Sequence, residues 1–261
     1  MIYDCFTFFN ELDILLFRLE LGYEYVDKFV IVESTTTFTN KPKELFYENN
    51  KAMFSQYADK IIHVICDNLH SNNAWDNERN QRNSILKGLT QCNPDDQILI
   101  SDVDEIPNYP VIKNTTVNSI HNLDMHMFYY FMTNRITKFL GNPYSWNARA
   151  FMAPYKNIKD QNLDGIRLNG SYPKIADGGW HFSYLFGLDY QMYVKKIESF
   201  SHTEYNSDRY KDINTIIRKI SAGEDLFDRT IYNFETVDFD TFYPDLIRFK
   251  KDKIKSHNWI L

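Results

Sequence analysis

The chain has 261 residues, of which 43% are hydrophobic and 25% charged, as in an ordinary globular protein that forms one large domain or two small ones. A net charge of -6 makes nucleic acid an unfavourable partner. There is no apolar run of about 18 residues and no basic region of a signal peptide. Three cysteines with long spacings predict neither a disulfide framework nor a zinc site. We therefore expect a cytoplasmic protein with no membrane span and no anchor.

The first hundred residues alternate between strand and helix patterns. Short apolar runs predict strands at residues 2–8, 28–33, 60–65 and 97–101. Leucines at helical spacing predict a helix that Asn10 caps and Gly22 closes. Asp76 is expected to cap a second helix that runs to about residue 91. Alternating strands and helices predict a mostly parallel sheet with helices on both faces.

The second half has longer predicted elements. Strands are expected at residues 125–133 and 146–153, and helices at residues 187–200 and 212–221. No low-complexity linker separates the halves. The fold class is therefore α/β, with a Rossmann-type central sheet in a single domain whose second half completes a site.

The segment ILISDVDEIP, residues 98–107, carries the strongest chemical signal. Ligands of open α/β sheets bind outside the carboxyl ends of strands, where this acidic motif lies. In extended backbone Asp102 and Asp104 point to the same side, while Val103 packs on the other. Two neighbouring carboxylates repel each other, and a divalent cation removes that repulsion. The pattern predicts a Mg²⁺ or Mn²⁺ site that takes its other ligands from water and substrate phosphates.

Three other interpretations of the motif and composition remain open. The carboxylates are also compatible with a solvated acidic turn. A haloacid-dehalogenase-like phosphatase would use Asp102 as its nucleophile, although its motif usually ends the first strand. An aromatic content of 16% is compatible with a non-catalytic carbohydrate-binding module.

Several segments, in order along the chain, resemble glycosyltransferase family 17, the family of the enzyme that adds bisecting GlcNAc to N-glycans. They are residues 8–20 (FFNELDILLFRLE), 28–43 (KFVIVESTTTFTNKPK), 78–89 (ERNQRNSILKGL), 98–107, 178–184 (GGWHFSY) and 199–205 (SFSHTEY). The resemblance covers residues 6–230. It is more specific than an acidic pair alone, because sequence segments such as VIVEST and GWHFSY are unusual.

The resemblance implies a GT-A-like fold and transfer of a sugar from a UDP-sugar, by default UDP-GlcNAc, to a glycan hydroxyl. It also implies inversion at the anomeric carbon and a metal at the DVD motif. We expect residues 1–107 to form the nucleotide-binding half, residues 108–230 the acceptor half and residues 231–261 a C-terminal extension. A family member without anchor or stem is expected to be a soluble bacterial or viral relative.

Within this scheme, Asp104 is the predicted direct metal ligand, and Asp102 is expected to share metal and ribose contacts. Glu105 would orient a metal-bound water or be exposed. His181 and His202 are candidates for an additional metal ligand, since Mn²⁺ accepts imidazole. A single histidine is more often structural.

An inverting transfer needs a general base for the acceptor hydroxyl. Asp177 is the first candidate, because the glycines beside it let backbone approach a substrate. Glu204 is the second. An ordinary turn aspartate is an equally good interpretation of Asp177.

The remaining candidates bind substrate. Trp180 and, less strongly, Trp146 are expected to stack on a sugar, although a tryptophan in the core fits as well. Glu33 ends the second predicted strand, where it would meet the base or ribose. The candidates for neutralising phosphate are Lys41, Lys43, Arg79 and Arg82. Arg82 could instead form an i,i+4 pair with Glu78.

Overall fold

The structure is a computed structural model that describes residues 1–67 and 70–260. It separates into two compact units. The first unit combines Met1–Met125 with Asn147–Gly179, and the second combines His126–Trp146 with the residues from Trp180 onward. The predicted boundaries at residues 107 and 230 stay predictions.

The bounds of the elements are as follows. The strands among the described residues are β1 (Ile2–Phe8), β2 (Lys28–Ser34), β3 (Ile61–Cys66), β4 (Gln97–Asp102), β5 (Glu105–Pro107), β6 (His121–Tyr129), β7 (Asn134–Phe139), β8 (Asn142–Pro143), β9 (Phe151–Pro154), β10 (Lys174–Ser183) and β11 (Tyr232–Thr236). The α-helices are α1 (Leu12–Gly22), α2 (Phe46–Asn49), α3 (Ala74–Asn83), α4 (Tyr109–Lys113), α5 (Leu163–Arg167), α6 (Tyr190–Ser199), α7 (Asp208–Lys211), α8 (Ile213–Ala222), α9 (Phe239–Phe242), α10 (Asp245–Arg248) and α11 (Lys251–Ser256).

Four parallel strands in the order β3-β2-β1-β4 form the centre of the first unit. Strand β2 lies between β1 and β3 and is buried on both faces, which explains why it reads as a continuous hydrophobic stretch, whereas the edge strand β3 is only partly buried. The predicted strands match these four to within a residue at each end. The register places Thr7 of β1 beside Asp102 of β4, so the carboxyl ends of the two strands meet at one edge.

The sheet of the first unit is mixed rather than parallel throughout. Strand β9 pairs with β4 antiparallel, and the beginning of β6 pairs with β9 antiparallel. The expected parallel arrangement is found in the pairs β1–β2, β1–β4 and β2–β3, and it does not extend to β9. The α/β class is confirmed.

Two predicted helix caps are wrong. Glu11, not Asn10, precedes α1, and its side chain makes no capping bond. Helix α3 begins after Asn73, whose side chain accepts a hydrogen bond from the backbone N–H of Trp75, so Asp76 lies inside the helix. Helix α3 ends at Asn83, and a 3-10 helix continues the chain over Ser84–Leu89. Over residues 1–67 and 70–260, the helices are too short or too polar to cross a membrane.

The second unit is built on antiparallel pairs and aromatic packing. The end of β6 pairs with β7, and β7 pairs with β11. Strand β6 stops at Tyr129 rather than at residue 133, because Tyr130 has a positive φ of 67°. Buried aromatic rings fill the space between these strands and helices α6 and α8. This core accounts for much of the high aromatic content.

Candidate active site

The acidic motif lies in a tight turn at the edge of the first unit's sheet. Strand β4 ends at Asp102, Val103 and Asp104 form the turn, and β5 begins at Glu105. The extended backbone expected through Asp104 is therefore wrong beyond Asp102. Asp104 is nevertheless held close to the carboxyl end of β4, with 8% of the residue exposed.

Arg18 of helix α1 holds this turn in shape. Its Nη1 donates to the carbonyl oxygens of Asp102 at 2.7 Å, Val103 at 3.3 Å and Glu105 at 2.9 Å. The same guanidinium forms a two-point ion pair with Asp4, at 2.5 and 2.9 Å. Arg18 and Asp4 are both fully buried. One buried guanidinium thus satisfies three carbonyl groups that the turn removes from regular pairing.

Two further buried arginines reach the carboxylates of the motif. Arg82 of helix α3 donates to Oδ1 of Asp102 at 3.1 Å and is also paired with Asp164. Arg167 of helix α5 donates to Oδ2 of Asp102 at 2.5 Å. It also donates to both oxygens of Glu105, at 2.7 and 2.8 Å. The predicted i,i+4 pair of Arg82 with Glu78 is present as well, at 2.9 Å.

Glu105 is a structural residue of the turn. It is fully buried, so the exposed alternative for this residue is wrong. Its Oε2 accepts a hydrogen bond from the backbone N–H of Asp102 at 2.8 Å, while Arg167 neutralises its charge. The carboxylate therefore closes the turn from within.

Asp102 stays ionised because of its arginines. Burial raises the pKa of its carboxyl, but Arg167 and Arg82 outweigh burial and lower the pKa to about 2. Thr7 and Arg82 donate to Oδ1, and Arg167 donates to Oδ2. Since each carboxylate oxygen accepts two hydrogen bonds, these described donors leave one position on Oδ2. The Asp102 side chain is 31% exposed.

The local charge suits a divalent cation. Arg82 and Arg167 bridge four carboxylates, which are those of Asp102, Glu105, Asp164 and Glu78. Arg79 also pairs with Asp164 at 3.7 Å and with Asp76 at 2.9 Å, so five carboxylates face three guanidinium groups and two negative charges remain before Asp104 is included. Oxygen ligands and excess negative charge fit Mg²⁺ or Mn²⁺. Across the described residues no three His, Cys, Asp or Glu side chains form a ready metal cluster, so further ligands would come from elsewhere.

The glycines beside Asp177 serve the packing of the protein itself. A Cβ on Gly179, whose φ is 146°, would lie 2.2 Å from the carbonyl oxygen of Ile106. The carbonyl of Gly178 accepts a hydrogen bond from the backbone N–H of Asn108 at 3.0 Å. Strand β10 thus packs closely on the segment that follows the acidic turn. Asp177 precedes this contact, is exposed, and has an unusual positive φ of 50°.

Glu33 and Lys43 are engaged inside the first unit. Glu33 is fully buried and accepts hydrogen bonds from the backbone N–H groups of Tyr47 and Glu48, at the start of α2. Lys43 lies 3.5 Å from Glu33, and burial lowers the pKa of its ammonium despite that carboxylate. Their predicted nucleotide contacts stay predictions and require these side chains to become accessible. Lys41 is exposed.

The remaining candidates belong to the second unit. Trp180 is 4% exposed and packs against Tyr243 with ring centroids 5.9 Å apart, which is the environment of a core tryptophan. Trp146 is half-buried and lies 4.4 Å from the ring of His181. His181 is 8% exposed. Sugar stacking and metal binding by these residues stay predictions.

His202 and Glu204 form an exposed pair. Nδ1 of His202 lies 2.7 Å from Oε1 of Glu204, and both side chains are about half exposed. Burial raises the pKa of Glu204, but the bond from His202 outweighs it and lowers the pKa below its usual value. A lowered pKa makes Glu204 a weaker candidate for a general base.

Arg18 and Arg167 were missed by sequence reasoning. Arg18 lies among the leucines of an apolar helix face. Because arginine is rarely buried unless it is paired, a single arginine on such a face indicates a buried ion pair. Arg167 has no such signal, since helix α5 has only five residues and no marked periodicity.

The fold and site together define an α/β protein with acidic side chains at the carboxyl edge of parallel strands, where such folds hold their ligands. The model of glycosyltransferase family 17 matches residues 1–240, and the chain belongs to this family. Family membership implies glycosyl transfer, with a sugar donor and an acceptor. Comparison with curated proteins gave no match.

Proposed function

We propose that the protein is a metal-dependent, inverting glycosyltransferase of the GT-A type. It moves a sugar, by default GlcNAc, from a UDP-sugar to a glycan hydroxyl. The observation that carries this proposal is the arginine-held DVD turn at the carboxyl end of β4, beside the end of β1. In this scheme residues 1–107 bind the nucleotide, residues 108–230 contribute the acceptor side and residues 231–261 form an extension.

Asp104 and the remaining acceptor position of Asp102 would hold Mn²⁺ or Mg²⁺. His181 and His202 lie in the second unit, and metal binding by either stays a prediction. A metal held there would supply positive charge to offset the charge of the diphosphate leaving group. The donor set supports this proposal because it consists of carboxylate oxygens and carries more negative charge than the nearby arginines neutralise.

The arginines contribute by fixing the turn before substrate arrives. Arg18 binds three backbone carbonyls, and Arg167 binds both Asp102 and Glu105. Because these groups are already oriented, little reorganisation accompanies the reaction, which is how preorganised polar sites lower barriers. Of the other phosphate candidates, Lys41 is exposed, and Arg79 has 43% of its side chain exposed.

Asp177 is the proposed general base. Its carboxylate takes the proton of the acceptor hydroxyl as the acceptor oxygen bonds to the anomeric carbon and the bond from that carbon to the diphosphate breaks. Attack opposite the leaving group inverts the anomeric carbon. An exposed aspartate with positive φ supports the assignment, because unusual backbone conformations concentrate at functional sites. Glu204 is the second candidate.

A phosphatase that uses Asp102 as nucleophile is disfavoured. Both Asp102 oxygens are bound by guanidinium groups, and its low pKa makes it a weak nucleophile. A carbohydrate-binding module without catalytic activity lacks support, because the family is one of glycosyltransferases.

Calorimetric titration of the protein with UDP, in Mn²⁺ and then in EDTA, tests the proposal. We expect UDP to bind in Mn²⁺ and to bind far more weakly in EDTA. Incubation with several nucleotide sugars should then show slow hydrolysis of one of them. Equal UDP affinity with and without metal would contradict the metal bridge, and release of phosphate from simple monoesters would favour the phosphatase.

A further inference from the structure

Helix α3 presents a stripe of side chains that begins at the acidic turn. Arg82, Arg79 and Trp75 are separated by three and four residues, so they lie on one face of the helix. Arg82 contacts Asp102 directly. At 1.5 Å per residue, Trp75 lies roughly 10 Å further along the helix axis than Arg82.

The contacts of α3 show in which direction this stripe runs. Gln81 donates to the carbonyl oxygens of Phe8 and Val32, at the carboxyl ends of β1 and β2. One turn earlier, Asn77 donates to the carbonyl oxygen of Phe38, which follows β2. Moving toward the start of α3 therefore leads out beyond the carboxyl ends of the strands. Trp75 lies further in that direction, where ligands of such sheets bind.

Trp75 and Arg79 keep much of their surface accessible on this stripe. Trp75 is 43% exposed, whereas Trp180 and Trp259 are 4% and 3% exposed. The Arg79 side chain is also 43% exposed, and it pairs with Asp76 at 2.9 Å and with Asp164 at 3.7 Å. A nucleobase can stack on an accessible aromatic ring of this kind.

We propose that Trp75 is the stacking platform for the nucleobase of the donor, with Arg79 beside the phosphates. The inference rests on the proposed function, because it takes the acidic turn as the site of the diphosphate. A nucleotide bound along the stripe would have its phosphates beside Arg79 and Asp102 and its base on Trp75. The spacing matches a nucleotide, whose base and phosphates lie on opposite sides of the ribose.

The test compares Trp75→Ala with Trp75→Phe in the whole protein, in Mn²⁺. Calorimetry with UDP should show affinity about 10-fold or more weaker for Trp75→Ala, from the usual strength of base stacking. Trp75→Phe keeps a ring and should bind nearly normally. Inorganic pyrophosphate, which has no base, should bind all three proteins equally. Phe249→Ala, which removes an 82% exposed ring of the second unit, is the matched control and should change nothing.

Tryptophan fluorescence gives an independent readout. UDP should quench the fluorescence of the wild-type protein, and the quench should largely disappear in Trp75→Phe although affinity is kept. Normal UDP affinity in Trp75→Ala would overturn the inference and leave the proposed function standing. An equal loss for pyrophosphate would also overturn it, because Trp75 would then support the turn. Failure of the wild-type protein to bind UDP in Mn²⁺ would remove the proposed function and this inference together.

Discussion

At the scale of single residues, Asp102 illustrates how a carboxylate keeps its charge in a site that burial makes unfavourable for charge. Arg167 and Arg82 bind one oxygen each, and their attraction exceeds the cost of burial. The acidic turn is therefore stabilised within the protein, and only part of its negative charge is left for a cation. The stability of the folded protein should consequently depend on the ionisation of Asp102, and therefore on pH.

The pKa of Asp102 in the folded protein is about 2, below its ordinary value of 3.8. Asp102 therefore stabilises the fold fully above about pH 4, and this contribution is lost as the pH falls to about 2. We expect the free energy of unfolding to decline by about 2 kcal/mol more in wild type than in Asp102→Asn over that interval. Urea unfolding of both proteins between pH 6 and pH 2 measures the difference. If the free energy of unfolding changed with pH in the same way in both proteins, the pKa of Asp102 would not be lowered by folding.

Asp104→Asn and Asp177→Asn should separate the metal ligand from the base. Asp104→Asn should lose UDP binding in Mn²⁺ together with donor hydrolysis and transfer, because the diphosphate charge is then poorly neutralised. Asp177→Asn should keep UDP affinity but reduce transfer by roughly 10²–10⁴, the usual contribution of a positioned base. Calorimetry and transfer assays measure the two effects. Near wild-type transfer by Asp177→Asn would leave Asp177 as a turn residue and direct the same test to Glu204.

At the scale of elements, the close packing of β10 on β5 connects the proposed base to the acidic turn along the backbone. Gly178 and Gly179 follow Asp177 directly and contact the residues that follow Glu105. A side chain at Gly179 would collide with backbone, not with a flexible neighbour. The position of Asp177 thus depends on two residues that have no side chain of their own.

Gly179→Ala is expected to destabilise the protein by roughly 2–5 kcal/mol, because its φ of 146° is unsuited to alanine and the new Cβ would meet a carbonyl oxygen at 2.2 Å. Gly165→Ala is the matched control. Its Cβ would have no neighbour nearer than 3.7 Å, and alanine favours helix α5 by up to about 1 kcal/mol. Urea unfolding measures both. Equal stability of the two variants would show that β10 can move away from β5 without cost.

At the scale of the whole molecule, the two units differ in construction. Met1–Met125 and Asn147–Gly179 contain the parallel strands and the acidic turn, whereas the other unit consists of antiparallel pairs around aromatic rings. A ligand that binds the acidic turn should stabilise the first of these units directly. This gives a test that needs no substitution.

We expect UDP with Mn²⁺ at about 100 times the dissociation constant to stabilise the folded state by about 2.7 kcal/mol. For a chain of this size the melting temperature should rise by roughly 5 °C or more, and EDTA should abolish the rise. Differential scanning calorimetry measures the shift. If the protein melts in two transitions, only one should move with UDP. A rise that persists in EDTA would contradict a metal-dependent site.

The amino-acid sequence by itself determined the features that depend on neighbouring residues. Apolar runs predicted β1, β2, β3 and β4, and in the interior strand β2 the run is nearly continuous because both of its faces are buried. The motif at Asp102 and Asp104 was visible because it follows such a run directly. Family membership could also be inferred from the sequence, because several consecutive segments resemble those of the family.

Only the tertiary structure decided which charges meet. Arg18 binds a carbonyl 84 residues away, and Arg167 binds a carboxylate 65 residues away. Side chains so distant along the chain become neighbours only when α1, α5 and β4 pack together, and no local pattern encodes such a contact. The burial of Glu105 and the turn at Val103 follow from the same arginines. The acidic motif itself could be read from ten consecutive residues. How its negative charge is balanced was decided by the packing of distant arginines.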